Sequence, residues 1–135
     1  MSIKSWFQFS IALLFLVNNV AFCKEIVVTV SNNTLMDIYV SAKDWSDPDD
    51  NIIATPAVIP AGTIDLKEKF SNVKQRENYF EVYFNTIPND QNCVFTYEFS
   101  GGFSVVTCQE FNYTLSQQRE NISINSINPF KKISP

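Results

Sequence analysis

The chain has 135 residues, room for one domain and too little for two of ordinary size. Fourteen acidic side chains against ten basic ones, with no Lys/Arg cluster, set the surface against a phosphate backbone and argue against nucleic acid as a partner. Histidine is absent, which removes the commonest general base, the usual partner of a serine or cysteine nucleophile and the commonest zinc ligand, so an enzyme is not expected.

The amino end reads as a secretory signal peptide over residues 1–23. Lys4 supplies the basic start, Phe9 to Val17 the apolar run, and Ala21 and Cys23 the small residues before the cut. The apolar run is shorter than the ~20 residues a membrane span needs. Removing it leaves residues 24–135 as one domain with nine basic and fourteen acidic side chains, a net charge of −5. Two cysteines then remain, Cys93 and Cys108, and the extracellular compartment this leader implies favours their oxidation.

Glu25 to Val30 alternates with Ile26, Val28 and Val30 on one face, and Met36 to Val40 alternates with Met36, Ile38 and Val40. Facing both sets to one core predicts a hairpin pairing Val30 with Met36 and Val28 with Ile38 across a loop from Ser31 to Leu35. The stretch VTVSNNTLMDIYV, together with IPAG at residues 59–62, resembles the first two strands of secreted sandwich proteins such as the aegerolysins. That resemblance implies a membrane-lipid ligand. It covers less than a third of the chain and transfers no site residue.

Ser41 to Asn51 is a polar loop interrupted by Pro48. Its Asp44, Asp47, Asp49 and Asp50 are the densest group of oxygen ligands in the chain. Calcium is the ion such a loop would suit, although the glycine and closing glutamate of an EF-hand are missing and a solvated acidic loop is the better explanation of the cluster. Trp45 lies in the same loop. It reads as a stacking surface for a sugar ring, a wedge into a membrane interface, or a lid folded onto the core.

Ile52 to Ile59 contains Pro56, which demotes it to an edge strand or a bulge. From Thr63 to Phe70 only the first half, Ile64 and Leu66, reads as half-buried, and Ser71 to Asn78 reads as a polar connection. Tyr79 to Phe84 is the strongest strand, with Phe80, Val82 and Phe84 facing in and Tyr79, Glu81 and Tyr83 facing water, where the two tyrosines would extend an aromatic surface with Trp45. Glu81 and Glu98 sit in strong strands, and both read as solvent-face residues rather than a glycosidase pair.

Cys93 to Cys108 reads as a hairpin reversing at Ser100-Gly101-Gly102. A turn at Ser100-Gly101 sets Cys93 opposite Cys108, within disulfide range, whereas a turn at Gly101-Gly102 makes them diagonal neighbours on the same face whose bond needs some adjustment. Phe111 to Leu115 and Ile122 to Ile127 complete the strand candidates. Sequons at Asn32, Asn112 and Asn121 fall in loops or at strand ends and offer glycosylation sites.

The expected fold is all-β: a single antiparallel β-sandwich of seven to nine strands, immunoglobulin-like or jelly-roll-like, with a small closed barrel as the alternative. The expected function is that of a secreted, extracellular binding protein for a protein or glycan partner. The alternative is a domain that contacts or carries membrane lipid, assisted by calcium at the acidic loop.

Overall fold

The computed structural model describes residues 23–45, 51–74 and 78–128, so the predicted leader, apart from Cys23, lies outside them. Ten strands follow in order: β1 (Cys23–Asn32), β2 (Ile38–Lys43), β3 (Ile53–Thr55), β4 (Val58–Ile59) and β5 (Leu66–Lys74), then β6 (Tyr79–Asn85), β7 (Cys93–Glu98), β8 (Gly102–Cys108), β9 (Phe111–Leu115) and β10 (Asn121–Ile127). There is no helix among the described residues. The strands form two five-stranded sheets, one ordered β3-β5-β1-β10-β9 and the other β4-β2-β6-β7-β8. The all-β class is as expected. The strand count is higher than expected, and one pairing, β1 with β10, is parallel.

Alternation decides which face each strand buries. Ile26, Val28 and Val30 of the first sheet and Phe80, Val82 and Phe84 of the second belong to one hydrophobic cluster. Ring contacts link the sheets: Phe70 of β5 meets Phe80 of β6 at 5.5 Å, and Phe95 of β7 meets Tyr113 of β9 at 4.9 Å. Five phenylalanines are sealed from solvent, each contributing about 1.5–3 kcal/mol.

The predicted hairpin of the first two strands does not form. β1 pairs with β5 and β10, whereas β2 pairs with β4 and β6. Alternation fixes the buried face of a strand but not its neighbour, and two apolar faces are covered as well across the interior as side by side. Met36 consequently leaves the strand and is 42 % exposed. The edge character predicted around Pro56 is realised twice, with β3 at the edge of one sheet and β4 at the edge of the other.

β5 runs further than expected, through Lys74, and it is the second half that is buried. Leu66, Glu68 and Phe70 share the inward face, while Lys67 and Lys69 point outward, Lys67 donating to Thr29 Oγ1 at 2.9 Å and Lys69 lying 3.9 Å from Glu25.

The cysteine hairpin reaches its predicted end by a different route. The loop has three residues, Phe99 to Gly101, so Tyr97 pairs with Phe103 and Thr96 with Ser104. A bulge in β8 then restores the alignment, Val106 standing unpaired between the pairs Phe95–Val105 and Val94–Thr107, and Cys93 is bonded to Cys108 with their Cα atoms 4.0 Å apart. Gly102 opens β8 at φ +75°, and its α-carbon faces the backbone of Arg119 so closely that any Cβ would collide with the carbonyl oxygen.

Candidate functional site

The ends of β1, β6 and β10 and the starts of β2, β7 and β9 meet at one end of the molecule. Three buried polar side chains fix the loops there. Asn32, fully buried, donates its amide hydrogens to Met36 O and Ile59 O at 2.9 Å each, and its Oδ1 accepts from Thr34 N and Thr34 Oγ1 at 3.0 and 2.7 Å. This amide steers the chain from the first sheet into the second. Asn85 spans the next loop: it donates to Asp90 O, and its Oδ1 accepts from Asn92 N at 3.0 Å. Asn89 turns that loop with φ 67°. Glu110 ties the third, its Oε1 accepting both the amide of Thr86 at 3.0 Å and the Thr86 hydroxyl, while its carbonyl accepts from Asn128 N.

Apolar side chains project from the loops so held. Leu35 is 97 % exposed and Ile87 59 %, and Met36 lies between them in the same region. A cleft of about 320 Å³ opens here, lined by the apolar Met36, Ile87 and Ile127 and by the acidic Asp90 and Glu110, with Thr86 and Asn92. A shallower hollow of about 240 Å³, lined by Leu35, Asn33 and Asn125, adjoins it through Ile127. The larger volume falls at the lower end of the range of small-ligand sites. Asp90 Oδ2 accepts from Asn92 Nδ2 at 3.1 Å, so this carboxylate is positioned before any ligand arrives.

The residues singled out from the sequence lie elsewhere. Trp45 is at the opposite end and 57 % exposed, its Nε1 donating to the Tyr83 hydroxyl at 2.8 Å and Lys43 Nζ standing 4.0 Å over its ring. Tyr83 is buried rather than wet, whereas Tyr79 is exposed and opposite Glu98 in the register. The structure thus joins Trp45 to Tyr83 but leaves Tyr79 apart. Glu81 pairs with Thr96 rather than with Glu98, and partial burial raises its carboxyl above the ordinary range.

Asp44 is buried, and Asp47, Asp49 and Asp50 lie outside the described residues. Among the described residues no three His, Cys, Asp or Glu side chains group as metal ligands. Of the sequons, Asn112 and Asn121 are exposed. Asn32 is not, and a glycan on its amide would break the contacts that hold the first loop.

The sequence reading missed Asn85, Asp90 and Glu110 because each stands in a polar stretch that local pattern assigns to solvent. It also missed Glu68, which is sealed in the apolar interior with neither carboxylate oxygen hydrogen-bonded among the described residues. Burial pushes its carboxyl up to about 8. The signal was present in the i, i+2 spacing of Leu66, Glu68 and Phe70, but the flanking lysines masked it.

The fold and this end define an all-β protein of two five-stranded sheets with a rigid, apolar-rimmed loop surface. No family model matches the chain, and neither the curated proteins nor the solved structures give a match to it, the aegerolysin-like segment included.

Proposed function

We propose that this chain is a secreted, extracellular β-sandwich without catalytic activity that binds a protein partner through the loop end carrying Leu35, Met36 and Ile87. One observation carries the reading: side chains with this much exposed apolar surface sit on loops that Asn32, Asn85 and Glu110 hold in place. Preorganised apolar protrusions around a cleft lose little entropy on binding. The Cys93–Cys108 bond and the leader-like first 23 residues support the extracellular assignment, and the exposed amides of Asn112 and Asn121 suit glycosylation.

The test is site-specific photo-crosslinking in the extracellular fluid of the source organism. A crosslinker at position 35 or 87 should give one discrete protein adduct. A crosslinker at Val27, exposed on the outer face of the first sheet, should give none. Adducts equally from all three positions, or from none, would dispose of the proposal.

A second reading, contact with membrane lipid, is favoured by the same side chains, since protruding Leu and Ile suit insertion at an interface. Flotation with phosphatidylcholine vesicles separates the two readings. Vesicle association lost in Leu35→Asp would select the lipid.

A further inference from the structure

We propose that the cleft beside Ile87 receives the side chain of a lysine or arginine from the partner protein, with the alkyl stem between Met36, Ile87 and Ile127 and the cationic head between Asp90 and Glu110. This rests on the partner-binding reading above and adds the chemistry of what enters. The lining combines the apolar Met36, Ile87 and Ile127 with the acidic Asp90 and Glu110 and includes no basic residue. A purely apolar occupant would strip water from those carboxylates without replacing their hydrogen bonds, and an anionic one would be repelled. A cation on a hydrocarbon stem suits both kinds of lining residue.

The carboxylates are differently prepared. Glu110 is buried, and its Oε1 already takes both Thr86 donors, leaving Oε2 without a hydrogen bond among the described residues. Asp90 is half-exposed and anchored through both its carbonyl and its Oδ2, by Asn85 and Asn92 respectively. A cation arriving between them meets acceptors whose loops need no rearrangement, and such charge-assisted bonds are about twice as strong as neutral ones. The source is taken to be a side chain rather than a free amine because Leu35 and Ile87 stand exposed at the rim, where residues flanking the lysine would cover them. The excess of acidic over basic residues in the whole chain favours a basic partner in the same sense.

The test is an NMR titration of the full disulfide-bonded domain with three probes: hexan-1-ol, hexylamine and the peptide acetyl-Leu-Lys-Leu-amide. Hexylamine should shift the Met36, Ile87 and Ile127 methyl signals saturably and bind about tenfold more tightly than hexan-1-ol. The peptide should bind more tightly again and move Leu35 as well. Glu110→Gln, which keeps an oxygen for Thr86, and Asp90→Asn should each weaken hexylamine about fivefold while leaving hexan-1-ol unchanged. The second variant guards against a folding defect in the first.

Equal binding of amine and alcohol, or amine binding indifferent to both variants, overturns the assignment of a cation. A peptide no tighter than hexylamine overturns the assignment of a protein side chain. Discrete crosslinks from positions 35 and 87 alongside either result would leave the docking surface standing and remove only its proposed occupant.

Discussion

Asn32 and Glu68 occupy equivalent places and meet opposite fates. They lie on neighbouring strands, β1 and β5, at positions whose alternation turns them inward, and both are fully buried. Asn32 makes four hydrogen bonds with its amide. Glu68 makes none among the described residues. The difference is one of position along the strand: Asn32 is the last residue of β1, where the chain leaves the ladder and exposes carbonyls and amides that need partners, whereas Glu68 is in the body of β5, where every neighbouring backbone group is already paired. A buried polar group is stabilising where the main chain is irregular and costly where it is regular.

The comparison is broken most completely by pH. Glu68 carries its proton in the folded chain up to about pH 8 but releases it near its ordinary 4.5 when unfolded. Between those values the folded state binds the extra proton, so stability is full below pH 4.5 and falls as pH rises through 8. A difference of about 3.5 pH units corresponds to roughly 5 kcal/mol lost across the window. Glu81, also shifted upward, adds a smaller loss of the same sign. Urea denaturation from pH 5 to 9 should show the decline, and Glu68→Gln should flatten most of it while Asn32 variants keep the full slope.

Next in size is the same apolar replacement made at the two sites. Asn32→Leu takes from Ile59 O one donor and from Thr34 N its acceptor, while Met36 O keeps its bond from the Thr34 hydroxyl. It should cost about 4 kcal/mol. Glu68→Leu removes an unpaired carboxyl from among aliphatic and aromatic neighbours and should stabilise by about 2 kcal/mol at pH 7. Opposite shifts of the urea midpoint are expected, and two shifts of the same sign would refute the account of what separates the sites.

The spacing of Leu66, Glu68 and Phe70 hints that Glu68 is buried, but the role of Asn32 is not legible in the sequence, for a physical reason that the cysteine hairpin makes plain. Pairing across a short turn is a local question, and the glycines at 101 and 102 with flanking aromatic residues answer it: Cys93 meets Cys108 even though the loop is one residue longer than expected and a bulge makes up the difference. Which sheet takes β2 is not local. It depends on where Asn32 finds Ile59, 27 residues further on. The all-β class followed from alternation in Tyr79 to Phe84 and Cys93 to Cys108, but the loop cleft is assembled from β2, β7, β9 and β10 termini that no window of sequence contains. Trp45 and Tyr79, conspicuous as residue types, are not brought together, while Glu110 drew no notice between Gln109 and Phe111.

The disulfide offers a covalent counterpart to Asn32 at the same end of the sheets. Cys93 and Cys108 are separated by 15 residues, and on the chain-entropy model their bond contributes about 3 kcal/mol. Cys93→Ala with Cys108→Ala should lower the urea midpoint accordingly at every pH. Because a constraint on the unfolded chain is indifferent to protonation, the slope between pH 5 and 8 should survive unchanged, which distinguishes it from any variant acting through Glu68.

Tyr83 supplies the intermediate case, a covered side chain whose bond to Trp45 reaches a ring that is itself half in water. It is 4 % exposed on the outward side of β6, and its oxygen accepts from Trp45 Nε1 at 2.8 Å. Tyr83→Phe removes the acceptor, but the indole N–H can turn to solvent, so the loss of this one bond should cost only about 1 kcal/mol by denaturation. Trp45 fluorescence gives an independent reading, since freeing the ring from Tyr83 while Lys43 still stands over it should shift the emission toward that of a solvated indole. A loss as large as that of Asn32→Leu would mean that the Trp45 loop seals the outer face of the second sheet, and that the rule drawn from Asn32 and Glu68 holds outside the core as well.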